Sequence, residues 1–449
     1  MTLDDVTQFF SDNHIERVKL GGFDVDGVLR GKYISLEKFW SATAGGMGFC
    51  DVIFGWDSSD ALYDNVRTTG WHTGYPDSMA RIDLSSLRVL PWEPDTAFFL
   101  VDFFRKDGSP LAVSPREVLR RIVQRAQDMG YVPNASIEYE YFFFCEDPKS
   151  LREKHFRDLV PLSPGMFGYS VLRASVHSDL VRTILTSMHA MGIEIEGFHT
   201  ETGPGVYETA IHYRDALTAA DHAALFKTVV KVLAQKHGLV ATFMAKWNGS
   251  LPGCSGHIHQ SLADVSSGNN LFHAPGFEHE MSDLMRQYMA GQLALMREFA
   301  VMSLPTVNSY KRTVPGTWAP TNVTWGIDNR TTALRAISAG SKATRVEHRL
   351  PGADSNPYLA LAASLASGLY GIHKKFALGA PTANAYASEA QPLPRSLEEA
   401  AALFRSSEAA REFFGADFVD HYAATREWEV REFRRAVTDW ELARYFEII

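Results

Sequence analysis

The chain has 449 residues, of which 45% are hydrophobic and 22% charged, as in an ordinary globular protein. Its net charge of −9 argues against nucleic acid as a partner, and with no cationic leader or long apolar run we expect neither a signal peptide nor a membrane span. Its three cysteines lack metal-ligand spacing and are odd in number, which favours a reducing cytoplasm over a disulfide framework.

The first hundred residues are rich in strand signals. Apolar and polar residues alternate through 16–36 around Asp26-Gly27, a dipeptide typical of a tight hairpin. A second β-rich run covers 95–104, and the Gly-, Asp- and Ser-rich stretch between the two, 44–80, is predicted to be loop. We place a domain boundary near 106–113, which gives an N-terminal domain of 1–108 and a second domain of 109–449.

The second domain begins with a clear helix signal. Ser114 suits an N-cap, Pro115 suits the first turn, and Gly130 ends the apolar stripe that follows. Strand-like runs then alternate with longer helical patterns, which indicates an α/β or α+β domain. The predicted strands are 135–145, 193–199, 240–246 and 256–262, the predicted helices lie near 171–191, 215–237, 278–303, 356–375 and 396–413, and 380–395 is predicted to be loop.

The run ASIEYEYFFF places two glutamates inside a strand pattern. Glu138 and Glu140 are two residues apart, so they face the same side of a strand. Most glutamates are solvated, and on this run alone an edge strand with its acids in water is the better interpretation. A divalent cation is the alternative, because it would offset both the burial and the mutual repulsion of the pair.

Two further clusters carry metal-binding residue types. Glu201 and Glu208 flank a Gly-Pro-Gly turn that can bring both carboxylates back to one place, although on these residues alone a surface loop with two solvated acids is the better interpretation. His257 and His259 share one strand face in CSGHIHQSL, where a metal ligand and a substrate contact are both within reach. Satisfied core histidines are the alternative.

Cations recur on three successive segments after residue 308. They are suited to carboxylate and phosphate, because the guanidinium fork binds two oxygens, although a surface charge ladder stays possible. Carboxylates, imidazoles and arginines together indicate phosphoryl transfer from a metal-bound nucleotide, without a GxxxxGK[ST] loop. The cations are Lys311, Arg312, Arg330, Arg335, Lys342, Arg345 and Arg349, with Glu347 between the last two.

These segments resemble the glutamine synthetase family. IEYEYF, ETGPGVYE, SGHIHQSL, NSYKRTVPG, DNRTTALR, RVEHRLPG and DSNPYLALAA occur in the order found there, over most of 17–375. The resemblance implies an α+β fold, with an N-terminal β-grasp domain and a catalytic domain whose curved antiparallel sheet is flanked by helices. It also implies that ATP phosphorylates the γ-carboxylate of L-glutamate and that an amine then displaces phosphate.

The resemblance assigns roles residue by residue. Two to three Mg²⁺ or Mn²⁺ ions per site are implied, one held by Glu140, Glu201 and Glu208 and a second by Glu138, His257 and Glu347. The implied glutamate contacts are Arg312, Arg349 and Gly253, with His257 beside the substrate. The implied nucleotide contacts are His259, Ser261, Arg335, Lys342 and Arg345. The implied catalytic residues are Arg330, Glu138, Glu140 and Asp57, of which Asp57 reaches the site of a neighbouring subunit.

Departures from the family pattern bear on the amine. Ammonia-using members carry a glutamate after the VPG segment, where this chain has Trp318 in VPGTWAP, and Pro252-Gly253 replaces an Asn-Gly pair. An indole offers an apolar wall to an organic amine. The sequence therefore predicts a cytoplasmic ligase, assembled as a hexameric or dodecameric ring, that joins glutamate to a polyamine, ethanolamine, alkylamine or aromatic amine. An ordinary glutamine synthetase and a non-catalytic relative are the alternatives.

Overall fold

The Asp26-Gly27 hairpin forms where the sequence predicts it, and Gly27 takes the left-handed φ of 77° that the turn requires. The carboxylate of Asp24 accepts hydrogen bonds from the backbone N–H groups of Asp26 and Val28, at 3.0 and 2.9 Å. The structure is a computed structural model and describes residues 1–387 and 389–449.

The hairpin belongs to a six-stranded sheet with strand order β2-β1-β6-β4-β3, in which β5 also pairs with β6. β1 and β6 run parallel and the other pairs are antiparallel. The elements of this region are α1 (Leu3–Asp12), β1 (Arg17–Phe23), β2 (Leu29–Ser35), α2 (Leu36–Gly45), β3 (Met47–Cys50), β4 (Asp77–Ile82), β5 (Arg88–Leu90) and β6 (Glu93–Phe104).

The loop prediction for 44–80 is wrong at both ends, because β3 and the start of β4 lie inside it. The two short strands pair with each other, and β4 also pairs with β6. β3 and β4 are stabilised by pairing within the sheet, where β4 is paired with the distant strand β6. The local sequence is interrupted by glycines and does not indicate this pairing, so it predicts a loop in place of the strands.

A nine-stranded sheet lies in the rest of the chain, in the order β13-β14-β15-β12-β7-β9-β8, with β10 and β11 also paired to β7. All of its pairs are antiparallel except β13 with β14. Its strands are β7 (Tyr131–Phe144), β8 (Ile195–Thr200), β9 (Val206–Ile211), β10 (Arg214–Asp215), β11 (Val240–Thr242), β12 (Gly256–Asp264), β13 (Trp325–Ile327), β14 (Leu334–Ile337) and β15 (Arg345–His348). The expected α+β class is confirmed.

Helices pack against this sheet and against one another. α8 and α9 pack closely because Gly291 faces α9, where an added Cβ would lie 2.2 Å from the Ser367 carbonyl oxygen. The helices are α3 (Pro115–Asp128), α4 (Pro148–Glu153), α5 (Val171–Val176), α6 (Ser178–Ala190), α7 (Ala216–Lys236), α8 (Asp283–Ser303), α9 (Pro357–Lys374), α10 (Leu397–Ser406), α11 (Glu408–Phe414), α12 (Ala416–Arg435) and α13 (Asp439–Tyr445).

Two predicted helices are each divided in the structure. The helix near 171–191 breaks at His177, and the helix near 396–413 breaks at Ser407, whose side chain caps the next helix. The predicted loop of 380–395 contains neither an α-helix nor a β-strand among its described residues, and Ser388 lies outside them.

Buried ion pairs join the two sheet regions. The Arg116 guanidinium donates to Asp83 and Asp102, on the N-terminal side of residue 108, and to Asp221 on α7, at 2.7 to 2.9 Å. The Asn356 side chain also donates to the carbonyl oxygens of Asp24 and Val25. The division into domains at residue 108 stays a prediction. No helix of the described residues has the length and apolar composition needed to cross a bilayer.

Candidate functional site

Strand register collects the acids and histidines on one face of the nine-stranded sheet. Glu140 on β7 is the cross-strand partner of Glu208 on β9, and Glu138 is the partner of His257 on β12. One step further across the sheet, His259 is the partner of Glu347 on β15. Since residues two apart share a face, the four strands present one continuous polar surface, called the polar face below.

One end of the polar face is built from β8 and β9. Nε2 of His199 lies 3.3 Å from a carboxylate oxygen of Glu201 and 3.6 Å from one of Glu208, and ligand atoms of all three lie within 4.8 Å of one another. The Tyr169 ring stacks on His199 with a centroid separation of 4.5 Å. Neighbouring Glu140 accepts a hydrogen bond from the Ser255 backbone N–H at 2.6 Å.

The other end is built from β7, β12 and β15. Glu138, His259 and Glu347 bring ligand atoms within 4.8 Å of one another. Nδ1 of His257 lies 3.3 Å from Glu347 and 3.9 Å from Glu138, so both histidines reach this group.

The two histidines differ in the nitrogen that is free. Nδ1 of His259 accepts a hydrogen bond from Nε of Arg345 at 3.0 Å, which leaves the proton of a neutral ring on Nε2, where it faces Glu138 at 3.1 Å. A protonated nitrogen cannot ligate a metal. His257, whose Nδ1 faces both acids, is therefore the better ligand of the pair, as the family resemblance implies.

The acids repel one another. Burial, followed by the charges of Glu140 and Glu138, raises the pKa of Glu208 to about 9. Burial also acts to raise the pKa of Glu347, but His257 and Arg349 outweigh it and lower that pKa to about 2. In the same way His259 and His257 outweigh burial and hold the pKa of Glu138 well below its usual range.

This donor set fits divalent cations. Five carboxylates and three imidazoles face one surface, and the carboxyl group of Glu208 keeps its proton because it is buried and its neighbours are charged. Carboxylate oxygens and imidazole nitrogens are ligands for Mg²⁺ and Mn²⁺, and a bound ion would remove the repulsion.

Arginines adjoin the acids at the β14–β15 end. Arg335 donates to Glu347 at 2.9 Å and also to Asp328, and Arg349 donates to the other oxygen of Glu347. Glu347 is almost fully buried, with 1% of its surface exposed. The buried Nε of Arg349 has no hydrogen-bond partner within residues 1–387 and 389–449. A donor of this kind is suited to an oxygen of a bound anion.

Arg312 has a different environment. Its guanidinium donates to the backbone carbonyls of Arg349, Leu350 and Pro351 at 2.9 to 3.3 Å, so part of its donor capacity is already used. Gly253 packs against it, since an added Cβ would lie 2.9 Å from Cγ of Arg312 and 2.4 Å from the Ala245 carbonyl oxygen. Gly253 is thus a packing requirement for the position of Arg312.

Trp318 and Arg330 line one depression of about 670 Å³, together with His279 and residues 381–383. Trp318 is 66% exposed and takes a left-handed φ of 59°, a conformation that large side chains rarely adopt. Burial and the charges of Glu201 and Glu208 raise the pKa of Tyr169, and Arg330 lies close enough to oppose that rise; the Tyr169 hydroxyl contacts Glu201. The depression therefore adjoins the β8–β9 end of the polar face.

The three remaining predicted site residues differ in their contacts. Asp57 accepts hydrogen bonds from the backbone N–H groups of Ser59 and Ala61 and from the Trp428 indole, all in its own chain. Lys342 lies exposed in a turn and Ser261 lies on β12, and neither side chain has a hydrogen bond or ion pair to another described residue. A contact between Asp57 and a neighbouring subunit stays a prediction.

Sequence reasoning missed His199 and Tyr169. His199 stands two residues before Glu201, which is the same strand spacing that singled out Glu138 and Glu140. Tyr169 has no such signal, because a loop outside any strand or helix brings it to His199.

Comparison with known proteins identifies relatives over nearly the whole chain. The family model for the glutamine synthetase catalytic domain matches residues 112–445. "Type-1 glutamine synthetase 2" of Dictyostelium discoideum is 49% identical over 96% of this chain and 84% of its own length. Glutamate–isopropylamine ligase of Pseudomonas sp. is 43% identical over 99% of this chain and 98% of its own. The ADP complex of GmaS superposes with a TM-score of 0.86 at 28% identity, over 98% of this chain and 99% of that one.

Proposed function

The chain belongs to the glutamine synthetase family, and from this we propose that it is an ATP-dependent carbon–nitrogen ligase that joins the γ-carboxylate of L-glutamate to an organic amine. In the first step a γ-carboxylate oxygen attacks the γ-phosphorus of ATP, and the bond to the bridging oxygen breaks to release ADP. In the second step the amine nitrogen attacks the acyl carbon of γ-glutamyl phosphate, phosphate leaves, and the amine gives up a proton.

Members of the family use ATP and divalent metal ions. We propose that Glu140, Glu201 and Glu208 hold one ion and that Glu138, His257 and Glu347 hold another, with His199 beside the first. When bound, Mg²⁺ or Mn²⁺, two to three per site, would neutralise these carboxylates and the phosphate oxygens. All six proposed ligands are present, which disfavours a non-catalytic relative.

The arginines supply the anion contacts of the proposal. Arg312 and Arg349, whose Nε has no partner among the described residues, hold the glutamate α-carboxylate. Arg335, Lys342 and Arg345 hold the nucleotide phosphates, with His259 and Ser261 beside them. Arg330 stabilises the charge on the transferring phosphoryl group, a role that its position near Tyr169, whose hydroxyl contacts Glu201, supports.

A single observation carries the choice of an organic amine, namely Trp318 beside Arg330 in the depression next to the polar face. The resemblance puts a glutamate at this position in ammonia-using members. An indole carries no negative charge to attract ammonium. It does cover the carbon atoms of a larger amine, and each CH₂ buried in this way contributes roughly 0.8 kcal/mol to the binding free energy. The 43% identity to a glutamate–isopropylamine ligase over the full length supports the same choice.

Ordinary glutamine synthesis is the second candidate. It is favoured by the 49% identity to a relative named as a glutamine synthetase. A ring-shaped homo-oligomer, hexameric or dodecameric, and a cytoplasmic location remain part of the proposal, as does an amine-activating role for Asp57 in a neighbouring subunit.

Phosphate release from ATP tests the proposal. The protein is given ATP, Mg²⁺, L-glutamate and, one at a time, ammonium, isopropylamine, ethanolamine, putrescine and aniline. We expect an organic amine to exceed ammonium in kcat/KM by at least about tenfold, which requires only ~1.4 kcal/mol. Equal or better use of ammonium would favour the second candidate.

A further inference from the structure

A cavity of about 710 Å³ lies on the side of the nine-stranded sheet opposite the polar face. Residues 25–29 of the hairpin, helix α7 and residues 242–244 line it, with Asp354 and Arg426 among its polar residues. It is separate from the polar face because α7 packs on the side of β7 that carries Tyr139, whose ring stacks on Phe226, whereas Glu138 and Glu140 point the other way.

Two lysines one helical turn apart project into this cavity. Lys227 is buried, with 8% of its surface exposed, and Lys231 is open to the cavity. Their Nζ atoms lie 5.8 and 5.6 Å from the centre of the same Phe243 ring, so they point to the same side of α7. Residues four apart on a helix are neighbours, so one small anion can contact both.

The two ammonium groups have few partners within the described ranges 1–387 and 389–449. Lys227 donates one hydrogen bond, to the Ser355 carbonyl at 3.0 Å, and Lys231 donates none. Neither forms an ion pair with a carboxylate there, although the charge of Asp354 acts on Lys227. Burial, and then the charge of Lys231, lower the pKa of Lys227 to about 7. A lysine nitrogen carries two N–H donors when neutral and three when charged, so most of their donor capacity is unused in either form.

Two of the three acids of the cavity wall have partners other than the lysines, and the second oxygen of Asp354 has none among the described residues. Asp26 pairs with Arg426 at 2.6 Å, and one oxygen of Asp354 accepts from the hydroxyls of Thr306 and Ser309. Burial raises the pKa of Asp354 and of Glu429, which favours their neutral forms and reduces the negative charge opposing the lysines. The wall also carries Lys236 and the apolar side chains of Val25, Leu29, Val232, Phe243 and Met244.

We propose that this cavity is a second binding site, distinct from the polar face, for a small oxyanion that Nζ of Lys227 and Nζ of Lys231 hold together. The apolar walls beside the lysines select a carboxylate with a short aliphatic chain. Inorganic phosphate shares the oxyanion chemistry but has no apolar part, so it binds more weakly.

Titration calorimetry on the whole protein tests this site, with butyrate, inorganic phosphate and butylamine as probes. We expect butyrate to bind saturably and phosphate to bind at least about fivefold more weakly. Butylamine is not expected to bind at this site. Lys231→Met keeps the aliphatic stem and removes the charge, and we expect it to weaken butyrate binding at least about tenfold. Lys227→Met has the same effect and provides a second variant should one fold poorly.

Two controls separate this site from the catalytic one. Lys149→Met removes an exposed lysine on α4 and is expected to change butyrate affinity by less than about twofold, and Arg349→Lys, in the proposed glutamate-carboxylate site, likewise leaves it unchanged. Loss of butyrate binding in Arg349→Lys with full binding in Lys231→Met would assign the anion to the catalytic site and overturn the proposal. Absence of any binding that depends on Lys227 or Lys231, for butyrate and phosphate alike, would overturn it too. Phosphate that binds as tightly as butyrate would overturn the selection for an aliphatic carboxylate.

Discussion

Glu140 and Glu208 are cross-strand partners on β7 and β9, and their carboxylates face the same side of the sheet. Together with burial, this pairing raises the pKa of Glu208 to about 9, against 4.5 for an ordinary glutamate. The folded chain thus holds a proton over a pH range in which the unfolded chain has released it.

The first prediction concerns stability without metal ions. Between pH 4.5 and about 9 the folded state binds more protons at Glu208 than the unfolded state, so raising the pH through this range lowers the free energy of unfolding. We expect the Glu208 proton to contribute a loss of at least about 1 kcal/mol across the range, taken as the difference between the unmodified chain and Glu208→Gln without metal, since one pKa unit corresponds to ~1.4 kcal/mol. Buried His222, His348 and His421, whose pKa values burial lowers, contribute with the opposite sign below about pH 6.5. Added Mg²⁺ restores stability most at the alkaline end. Urea unfolding at a series of pH values measures both effects.

Glu208→Gln is the matched control for that experiment. A glutamine does not ionise, so the free energy of unfolding of the variant is expected to depend less on pH without metal and to increase less on addition of Mg²⁺. Its kcat is expected to fall by at least about a hundredfold. The same pH dependence in EDTA for the unmodified chain and for Glu208→Gln would contradict the assignment.

The second prediction concerns Gly253. A Cβ at this position meets the Ala245 carbonyl at 2.4 Å, so Gly253→Ala displaces the backbone or Arg312 and costs about 1–3 kcal/mol of stability. It is also expected to raise KM for glutamate more than it lowers kcat. Gly249→Ala, in the same loop and with no atom within 4 Å of the added carbon, is expected to be nearly neutral. Equal effects of the two changes on KM would argue against a substrate-linked role for Gly253.

The third prediction separates the chemical step from glutamate binding. Arg330 is proposed to stabilise charge that develops during phosphoryl transfer, so Arg330→Ala should lower kcat by at least about a hundredfold while KM for glutamate changes less than about threefold. Arg349→Lys loses the planar fork and should show the opposite pattern, with a KM raised at least about tenfold. Steady-state kinetics with both substrates varied distinguishes the two. If Arg330 had only a structural role, Arg330→Ala would lower the melting temperature. We do not expect this, because the Arg330 side chain is exposed.

The fourth prediction concerns Trp318. Trp318→Ala is expected to reduce the preference for an organic amine over ammonium at least about fivefold, because it removes an apolar wall and no charge. Trp318→Glu should move the preference towards ammonium. Trp318→Phe keeps an aromatic face and serves as the conservative control. Should Trp318→Ala lower turnover with every amine by one common factor, Trp318 would be a loop-packing residue without contact to the amine.

Many strands and helices could be predicted from the sequence, because alternation with a period of two and helix caps involve only neighbouring residues. The alternation at 135–145 correctly predicts a strand with Glu138 and Glu140 on one face, and the structure extends it to Tyr131–Phe144. By contrast β9 was not predicted, since GVYETAI follows a turn signal and is stabilised by its register with β7. The break at His177 depends on packing between α5, α6 and β8, which no local pattern contains.

The candidate site shows the same limit. The acids, histidines and arginines could be selected by residue type and spacing, but spacing does not say which nitrogen of which histidine is free. That depends on Arg345, which is 86 residues from His259 and donates to its Nδ1. Long-range packing also determines two other features. Backbone carbonyls accept hydrogen bonds from Arg312, and the Tyr169 ring stacks on His199.

The Arg116 ion pairs have a consequence for dissecting the chain. A cut at residue 108 would leave Asp83 and Asp102 on one fragment and Arg116 with Asp221 on the other, so the two N-terminal aspartates would lose the arginine and the arginine would lose two of its three carboxylates. Breaking a buried ion pair by removing one partner typically costs about 3–5 kcal/mol, and this arginine serves three carboxylates. Fragments expressed separately should therefore be poorly soluble, whereas co-expressed fragments should reassemble, so this protein is better suited to complementation experiments than to study as isolated pieces.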